Sequence, residues 1–137
     1  MKKETLKNIF NFLKKEDNIN RPFLWMLLNN EPFTEDELVI KGNLNLYDSE
    51  ITSLPEGLKV GGFLDLYSTE IKSLPEGLEV NGNFFLDNCT SLTSLPKGLK
   101  VYGDLYIADT ELEAYTDKQL REMIKPGFIK GKIYREE

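Results

Sequence analysis

Apolar residues recur through the middle of the chain with a period of 20 to 21 residues. The most regular part of the pattern is the pentapeptide Leu-Pro-x-Gly-Leu, which occupies positions 54–58, 74–78 and 95–99. Each unit also contains a segment of the form Gly-x-apolar-x-apolar, which begins at Gly42, Gly62, Gly82 and Gly103. Self-similarity at a period of about 20 residues is typical of a solenoid, in which each unit buries its apolar edge only against its neighbours.

Alternation of apolar and polar residues predicts a strand directly after each glycine, because every second side chain of a strand lies on the same face. The residues predicted to point inward are Leu44, Leu46, Leu64, Leu66, Phe84, Leu86, Leu105 and Ile107. Stacked units would place these strands in one parallel sheet, about 4.8 Å apart. The proline and glycine of the pentapeptide predict a turn on the opposite side. The sequence therefore predicts an α+β fold built on a parallel β-solenoid of about four units over residues 38–115.

A hydroxyl residue follows each predicted strand, at a corner where a short side chain can bond backbone groups that the turn leaves unpaired. These residues are Ser49, Thr69, Thr90 and Thr110. The third unit is one residue longer, which predicts a bulge containing Cys89. We interpret Cys89 as a small buried group. The alternative, a reactive thiol, lacks a basic residue nearby in the sequence to lower its pKa.

Residues 1–37 predict a helical cap on the solenoid, because the open end of a repeat array must be covered. Four residues meet the i, i+3, i+4, i+7 rule of an amphipathic helix: Leu6, Ile9, Phe10 and Leu13. A second helix opens at Arg21-Pro22, with residues 23–28 largely buried, and Thr34 with Glu37 forms a capping box for a short turn. The alternative interpretation of these helices is a partner-binding arm.

Residues 116–137 predict a second cap, made of a helix and a strand. Thr116 and Gln119 form another capping box, so a helix is expected to run from there through Ile124. Residues 128–134 follow as a final strand bent at Gly131, which covers the edge of the last unit and prevents end-to-end pairing. We therefore predict a single domain, 1–137, with caps at both ends of the array.

The composition bears on catalysis and location. The chain has 137 residues, no histidine and one cysteine, so zinc, iron and copper sites lack ligands and a Ser-His-Asp or Cys-His system is impossible. We predict no enzymatic activity, no catalytic residue, no metal and no cofactor. The single cysteine is consistent with a reducing cytoplasm, and the longest apolar run, 22–28, is too short to span a membrane. With no signal peptide recognised, the predicted localisation is cytoplasmic.

Charge is unevenly distributed along the chain. Residues 34–116 carry five basic and fifteen acidic residues, a balance of −10, whereas the segments 1–33 and 117–137 each carry six basic and four acidic residues. An acidic array opposes binding to a nucleic-acid backbone through its own field. We therefore expect no direct nucleic-acid binding and no membrane binding.

Parts of the repeat resemble a known family. Positions 51–55 (Ile-Thr-Ser-Leu-Pro) and 92–96 (Leu-Thr-Ser-Leu-Pro) are similar to the motif of the short leucine-rich repeats in secreted bacterial effectors, which implies a leucine-rich-repeat-like fold over about residues 38–115. The repeat departs from that pattern where threonine takes the place of the asparagine corner. The form Gly-Leu-x-Val-x-Gly-x-Leu-x-Leu and the tail at 127–134 also resemble small phage and mobile-element proteins of unassigned function, which implies a phage or bacterial origin.

The residues that alternate with the inward ones are predicted to point to solvent and to form the candidate site. Aromatic residues among fixed negative charges are typical of a protein-binding surface that faces basic residues. The predicted partner-binding residues are Tyr47, Phe63, Asp65, Tyr67, Phe85, Asp87, Asp104 and Tyr106, with Glu50 and Glu70 at the adjoining corner. The other interpretation is that the aromatic residues stack across strands for stability and the acidic residues only aid solubility.

These features predict a non-catalytic protein–protein interaction module whose partner has a basic surface. Small size, an acidic array and the phage-like repeat favour one biological form, an anti-CRISPR-like inhibitor of a bacterial defence nuclease complex. The alternative is a structural or self-associating repeat module, a homo-oligomer with no foreign partner.

Overall fold

The computed structural model describes residues 20–136, which belong to two compact units, Met1–Pro32 and Phe33–Glu137. In the first unit, helix α1 spans Asn20–Leu28. Phe23 and Met26 on this helix are buried, whereas Leu28, which we expected to be buried, is 49% exposed. The amphipathic helix predicted around residues 6–13 lies outside the described residues.

The second unit is a parallel β-solenoid in which each repeat contributes two short strands instead of the single strand that we predicted. Sheet A contains β1 (Val39–Ile40), β3 (Lys59–Val60), β5 (Glu79–Val80), β7 (Lys100–Val101) and β9 (Phe128–Ile129). Sheet B contains β2 (Leu44–Asn45), β4 (Leu64–Asp65), β6 (Phe84–Phe85), β8 (Leu105–Tyr106) and β10 (Ile133–Tyr134). Every neighbouring pair is parallel, so the predicted sheet corresponds to sheet B and is joined by a second one.

The inward columns of sheet B are the core that the alternation predicts. Leu44 lies opposite Leu64, Leu64 opposite Phe84, and Phe84 opposite Leu105, all fully buried. The next column consists of Leu46, Leu66, Leu86 and Ile107, none more than 2% exposed. Both columns confirm the predicted strand register.

Glycines form the corner between the two sheets, where consecutive layers approach most closely. The amide of Gly82 donates a hydrogen bond to the Gly62 carbonyl at 2.9 Å, and the amide of Gly103 donates to the Gly82 carbonyl at 3.2 Å. A Cβ atom on Gly103 would lie 2.7 Å from that carbonyl, closer than atoms in contact allow. The recurring glycine is therefore required by space at this corner.

At the far end of sheet B, a second corner turns the chain through a residue with positive φ. These residues are Asp48, Ser68, Asn88 and Asp109, with φ between 55° and 61°. The residue after each of them turns back to bond the strand: the Ser49 and Thr110 hydroxyls each donate to a carbonyl three residues earlier, at 2.7 Å.

The equivalent position in the third unit is Cys89, which is fully buried, and not Thr90, which is exposed. Cys89 therefore takes the position that Ser49, Thr69 and Thr110 have in the other units. The extra residue of the third unit lies after Cys89. The prediction that Thr90 occupies this corner was wrong. It relied on the hydroxyl group of Thr90, whereas the number of residues after the strand decides which residue lies at the corner.

The C-terminal segment adds one more layer to both sheets. A 3-10 helix, Glu111–Ala114, precedes helix α2, Asp117–Met123, and Thr116 forms the predicted capping box with Gln119. The final segment is not one bent strand but two, β9 and β10, separated by Gly131 at the glycine corner. The capping box predicted for Thr34 and Glu37 is also present, with bonds of 3.0 and 3.2 Å.

The side chain of Arg121, on helix α2, reaches the outer hydrogen-bonding edge of sheet A. In the preceding layer the Val101 carbonyl accepts the amide of Lys130 at 2.9 Å. The corresponding carbonyl of the last layer, at Ile129, accepts instead from the guanidinium of Arg121, which also donates to the Gly131 carbonyl at 3.0 Å. A further layer therefore finds these acceptors already taken, so Arg121 closes this edge, a role that we had assigned to the final strand.

Candidate protein-binding face

The outer face of sheet B is formed by three columns of side chains that point away from the core. The first contains Asn43, Phe63, Asn83, Asp104 and Lys132; the second, Asn45, Asp65, Phe85, Tyr106 and Tyr134; the third, Tyr47, Tyr67, Asp87 and Ala108. All eight predicted site residues of the sheet thus lie on one face, and the structure adds Lys132 and Tyr134 from the last layer.

The carboxylates on this face bind backbone amides. Asp104 Oδ1 accepts the amide of Lys132 at 2.8 Å, in the next layer. Asp65 Oδ1 accepts the amide of Tyr67 at 2.9 Å, within its own layer. Asparagine does the same in other units, so these aspartates have a structural role besides their charge.

Asp87 departs from the prediction that it lies exposed among the aromatic residues. It is only 8% exposed, because its Oδ1 turns to accept the amide of Ala108 at 3.0 Å. Its side chain therefore hydrogen-bonds to the backbone and presents little surface to a partner.

Four rings form an aromatic stack that runs across the strands: Phe63, Phe85, Tyr106 and Tyr134. Phe85 and Tyr106 are stacked with centroids 4.8 Å apart, and Tyr106 and Tyr134 are stacked at 4.9 Å. Phe63 meets Phe85 edge-on at 6.0 Å. Tyr106 therefore stacks on a neighbouring ring in each of the two adjoining layers. Burial, and then the charge of Asp104, raise the pKa of Tyr106.

Two tyrosines of this face lie outside the stack and are exposed. Tyr47 is 59% exposed and its neighbour in the next layer, Tyr67, is 38% exposed. The corner that adjoins them carries exposed carboxylates: Asp48, Glu50, Glu70, Asp109 and Glu111. Glu50 and Glu70 occupy equivalent places in adjacent units, as predicted from the repeat.

The outer face of sheet A has the opposite charge. Its strands and the corner residues after them carry four lysines and one acid: Lys41, Lys59, Lys100, Lys130 and Glu79. Lys100 and Glu79 form an ion pair at 3.4 Å. The Lys130 ammonium lies 5.0 Å from the ring centre of Tyr102, which is 42% exposed. The acidic excess of the array is thus concentrated away from sheet A.

Cys89 lies in the core beneath the candidate face, as its interpretation as a buried group predicted. Its Sγ donates to the Leu66 carbonyl at 2.9 Å and lies 3.5 Å from the Thr69 hydroxyl. Burial raises the pKa of the thiol, and the charge of Asp87 acts in the same direction. Hydrogen bonding with Thr69 acts in the opposite direction, but burial outweighs it, so the pKa of the thiol stays raised.

We expect native Cys89 to react with iodoacetamide at pH 8 at least about a hundredfold more slowly than in the urea-unfolded chain, because reaction requires opening of the core. Mass spectrometry of timed samples measures both rates. Comparable rates in the two states would show that the thiol is accessible. Replacing Thr69 by Val removes one polar neighbour of the thiol and should leave the protection in place.

No protein-family model, curated protein or solved structure matches the chain significantly. The family resemblance of the repeat therefore stays a hypothesis. Within residues 20–136, no group of three or more acidic or cysteine side chains is placed to hold a metal ion. No helix in the same range has the length and apolar content needed to cross a membrane.

Proposed function

We propose that the chain is a non-catalytic protein-binding module, which docks the outer face of sheet B and its acidic corner on a basic surface of a partner. The observation that supports this proposal is the pair of exposed rings, Tyr47 and Tyr67, beside the carboxylates of Glu50 and Glu70. Tyrosines are enriched among the residues that dominate interface energies, and the partner of such a face needs complementary charge.

The residues of the face divide into contacts and supports. Tyr47 and Tyr67 have the free surface that a partner can bury, and their phenols can donate hydrogen bonds at its rim. Phe63, Phe85 and Tyr106 hold one another in the stack. We therefore assign the binding energy mainly to the tyrosine column and the stability of the platform to the stack.

The size of the face requires that the corner take part in binding. Five strands about 4.8 Å apart, each with three outward residues, present on the order of 300–400 Å². A stable interface takes about 800 Å² from each partner. The row of carboxylates next to the tyrosines supplies part of the difference and the charge.

The separation of charge supports an oriented encounter. Carboxylates line the corner of sheet B, whereas lysines lie on the outer face of sheet A. A basic partner surface is attracted to the first and repelled by the second, which speeds productive association at low salt.

The biological form that we propose is an inhibitor of a bacterial defence nuclease, which occupies a basic surface made for nucleic acid. The phage-like repeat and the acidic array support this form. In this proposal the array keeps its leucine-rich-repeat-like organisation, and residues 116–137 act as its cap.

The test is capture of partners from bacterial lysate by the immobilised chain. We expect Tyr47→Ala with Tyr67→Ala to remove the captured partner, while the fold, measured by circular dichroism, is retained because both rings are exposed. Tyr102→Ala is the matched control, since it removes a tyrosine of similar exposure from sheet A. Capture should also weaken between 50 mM and about 300 mM salt, where charge attraction is screened. Capture that survives the double substitution would contradict the proposal.

A further inference from the structure

The outer edge of sheet B differs from the closed edge of sheet A. In the pairing of β8 with β10, the amide of Leu105 donates to the Lys132 carbonyl and the amide of Ile107 donates to the Tyr134 carbonyl, both at 2.9 Å. Backbone groups of alternate residues point to opposite sides of a strand. Those of Ile133 and of Arg135, two residues later, therefore point away from β8, and neither amide has a hydrogen-bond partner within residues 20–136.

The side chain of Arg135 is held by groups outside sheet B. Its guanidinium donates to the Tyr115 carbonyl at 2.7 Å and to a carboxylate oxygen of Asp117. The edge of β10 thus offers unpaired backbone donors two residues apart, which is the spacing at which an extended chain presents its carbonyls.

The ring of Tyr134 ends the aromatic stack at the same edge. Its inner side lies against Tyr106, at 4.9 Å and an interplanar angle of 16°, and the ring is 37% exposed. An aromatic side chain in an added strand would extend the stack with the geometry that Tyr106 already shows. Lys132 and Glu136, two residues to either side on the same face, are exposed and have opposite charges.

From this geometry we propose that the β10 edge binds an extended peptide segment of another protein as a sixth strand of sheet B. In the parallel register of all the other strands, the segment places an acid beside Lys132, an aromatic residue beside Tyr134 and a base beside Glu136. On the side of β10 that pairs with β8, Asp104 already lies beside Lys132 and Tyr106 beside Tyr134, so the first two of these contacts repeat a pattern that the sheet contains.

The occupant is a single strand and not a second solenoid stacked end to end. A complete added layer would need hydrogen bonds at both sheet edges, and Arg121 already takes the acceptors of sheet A at Ile129 and Gly131. The site is separate from the column of Tyr47 and Tyr67, to which the binding energy of the proposed face is assigned, so its failure would not bear on that assignment.

The test uses the full chain, labelled with ¹⁵N, and two synthetic peptides. The probe is acetyl-Gly-Asp-Leu-Tyr-Ile-Lys-Gly-amide, and the matched control exchanges its Asp and Lys. We expect the probe to slow amide exchange at Ile133 and Arg135 and to bind several-fold more tightly than the control, because two cross-strand charge pairs change sign between the peptides. Exchanging the charges of the protein, with Lys132→Glu and Glu136→Lys, should reverse the preference.

An equivalent exchange on another part of the surface, Lys59→Glu with Glu56→Lys, should leave the preference unchanged. Equal binding of both peptides, protection at other amides, or no binding at millimolar peptide would overturn the proposal. Protection of Ile133 and Arg135 without peptide, together with a dimer in sedimentation, would overturn it as well, because a second copy would then occupy the edge.

Discussion

Leu66→Ala is expected to lower the free energy of unfolding by about 2–5 kcal/mol, because it removes a fully buried side chain from the middle of a stacked column. Leu46 and Leu86, the neighbours above and below, cannot close the cavity without shifting their own layers. Urea denaturation followed by circular dichroism measures the change. Lys72→Ala, at an exposed position of the same unit, should change stability by less than about 0.5 kcal/mol. A similarly small loss for Leu66→Ala would contradict the register of the array.

Gly103→Ala is expected to destabilise the chain by about 1–3 kcal/mol or more, because its new Cβ would meet the carbonyl of Gly82 at 2.7 Å and the side chain of Asn83 at 2.5 Å. The backbone atoms at this corner are fixed by the layer below, so the two layers would have to separate locally. Thermal unfolding monitored by calorimetry measures the effect.

Gly42→Ala is the matched control for this substitution. Gly42 occupies the equivalent corner of the first layer, and no atom of the described residues, 20–136, lies within 4 Å of the position of its Cβ. The same change there should be neutral, or stabilising by about 0.4–1 kcal/mol through the loss of freedom in the unfolded chain. Equal effects at both positions would show that backbone freedom, and not the close approach of layers, explains the recurring glycine.

The sequence predicted those parts of the fold in which apolar and polar residues alternate over enough positions to show which side of a strand is buried. The residues after each glycine alternate through two inward positions, such as Leu64 and Leu66, and both are buried as predicted. Sheet A was missed because each of its strands shows a single inward residue, Val60 in the second unit, which is too short a pattern to define a period. Its existence follows from the stacking of layers and not from local preference.

The last layer was missed for a different reason. Phe128 pairs with Lys100, an offset of 28 residues where other layers are 20 or 21 apart, because helix α2 replaces the usual turn. The repeat was therefore lost at this point, and with it the membership of Tyr134 in the aromatic stack. Aligning Gly131 with Gly103 would have recovered both, since the strands resume in register after the glycine.

The candidate face was predicted in position but not in detail. Alternation placed Asp87 on the outer side, yet whether a carboxylate turns to solvent or to a nearby amide depends on the backbone of the next layer, here Ala108. In the same way, sequence identified aromatic residues without distinguishing the rings that stack, such as Phe85, from those that remain exposed, such as Tyr47.

Because Arg121 closes the edge of sheet A, the structure of this end does not depend on the number of layers in the array. The arginine binds backbone carbonyls that every layer presents in the same place. Its contacts are therefore the same however many layers precede it. Duplication of one 20-residue unit would therefore lengthen the face and extend the rows of tyrosine and carboxylate, while the last layer remained closed by the same contacts. The length of the binding surface of such a chain can change by whole units while the contacts that close its last layer stay the same.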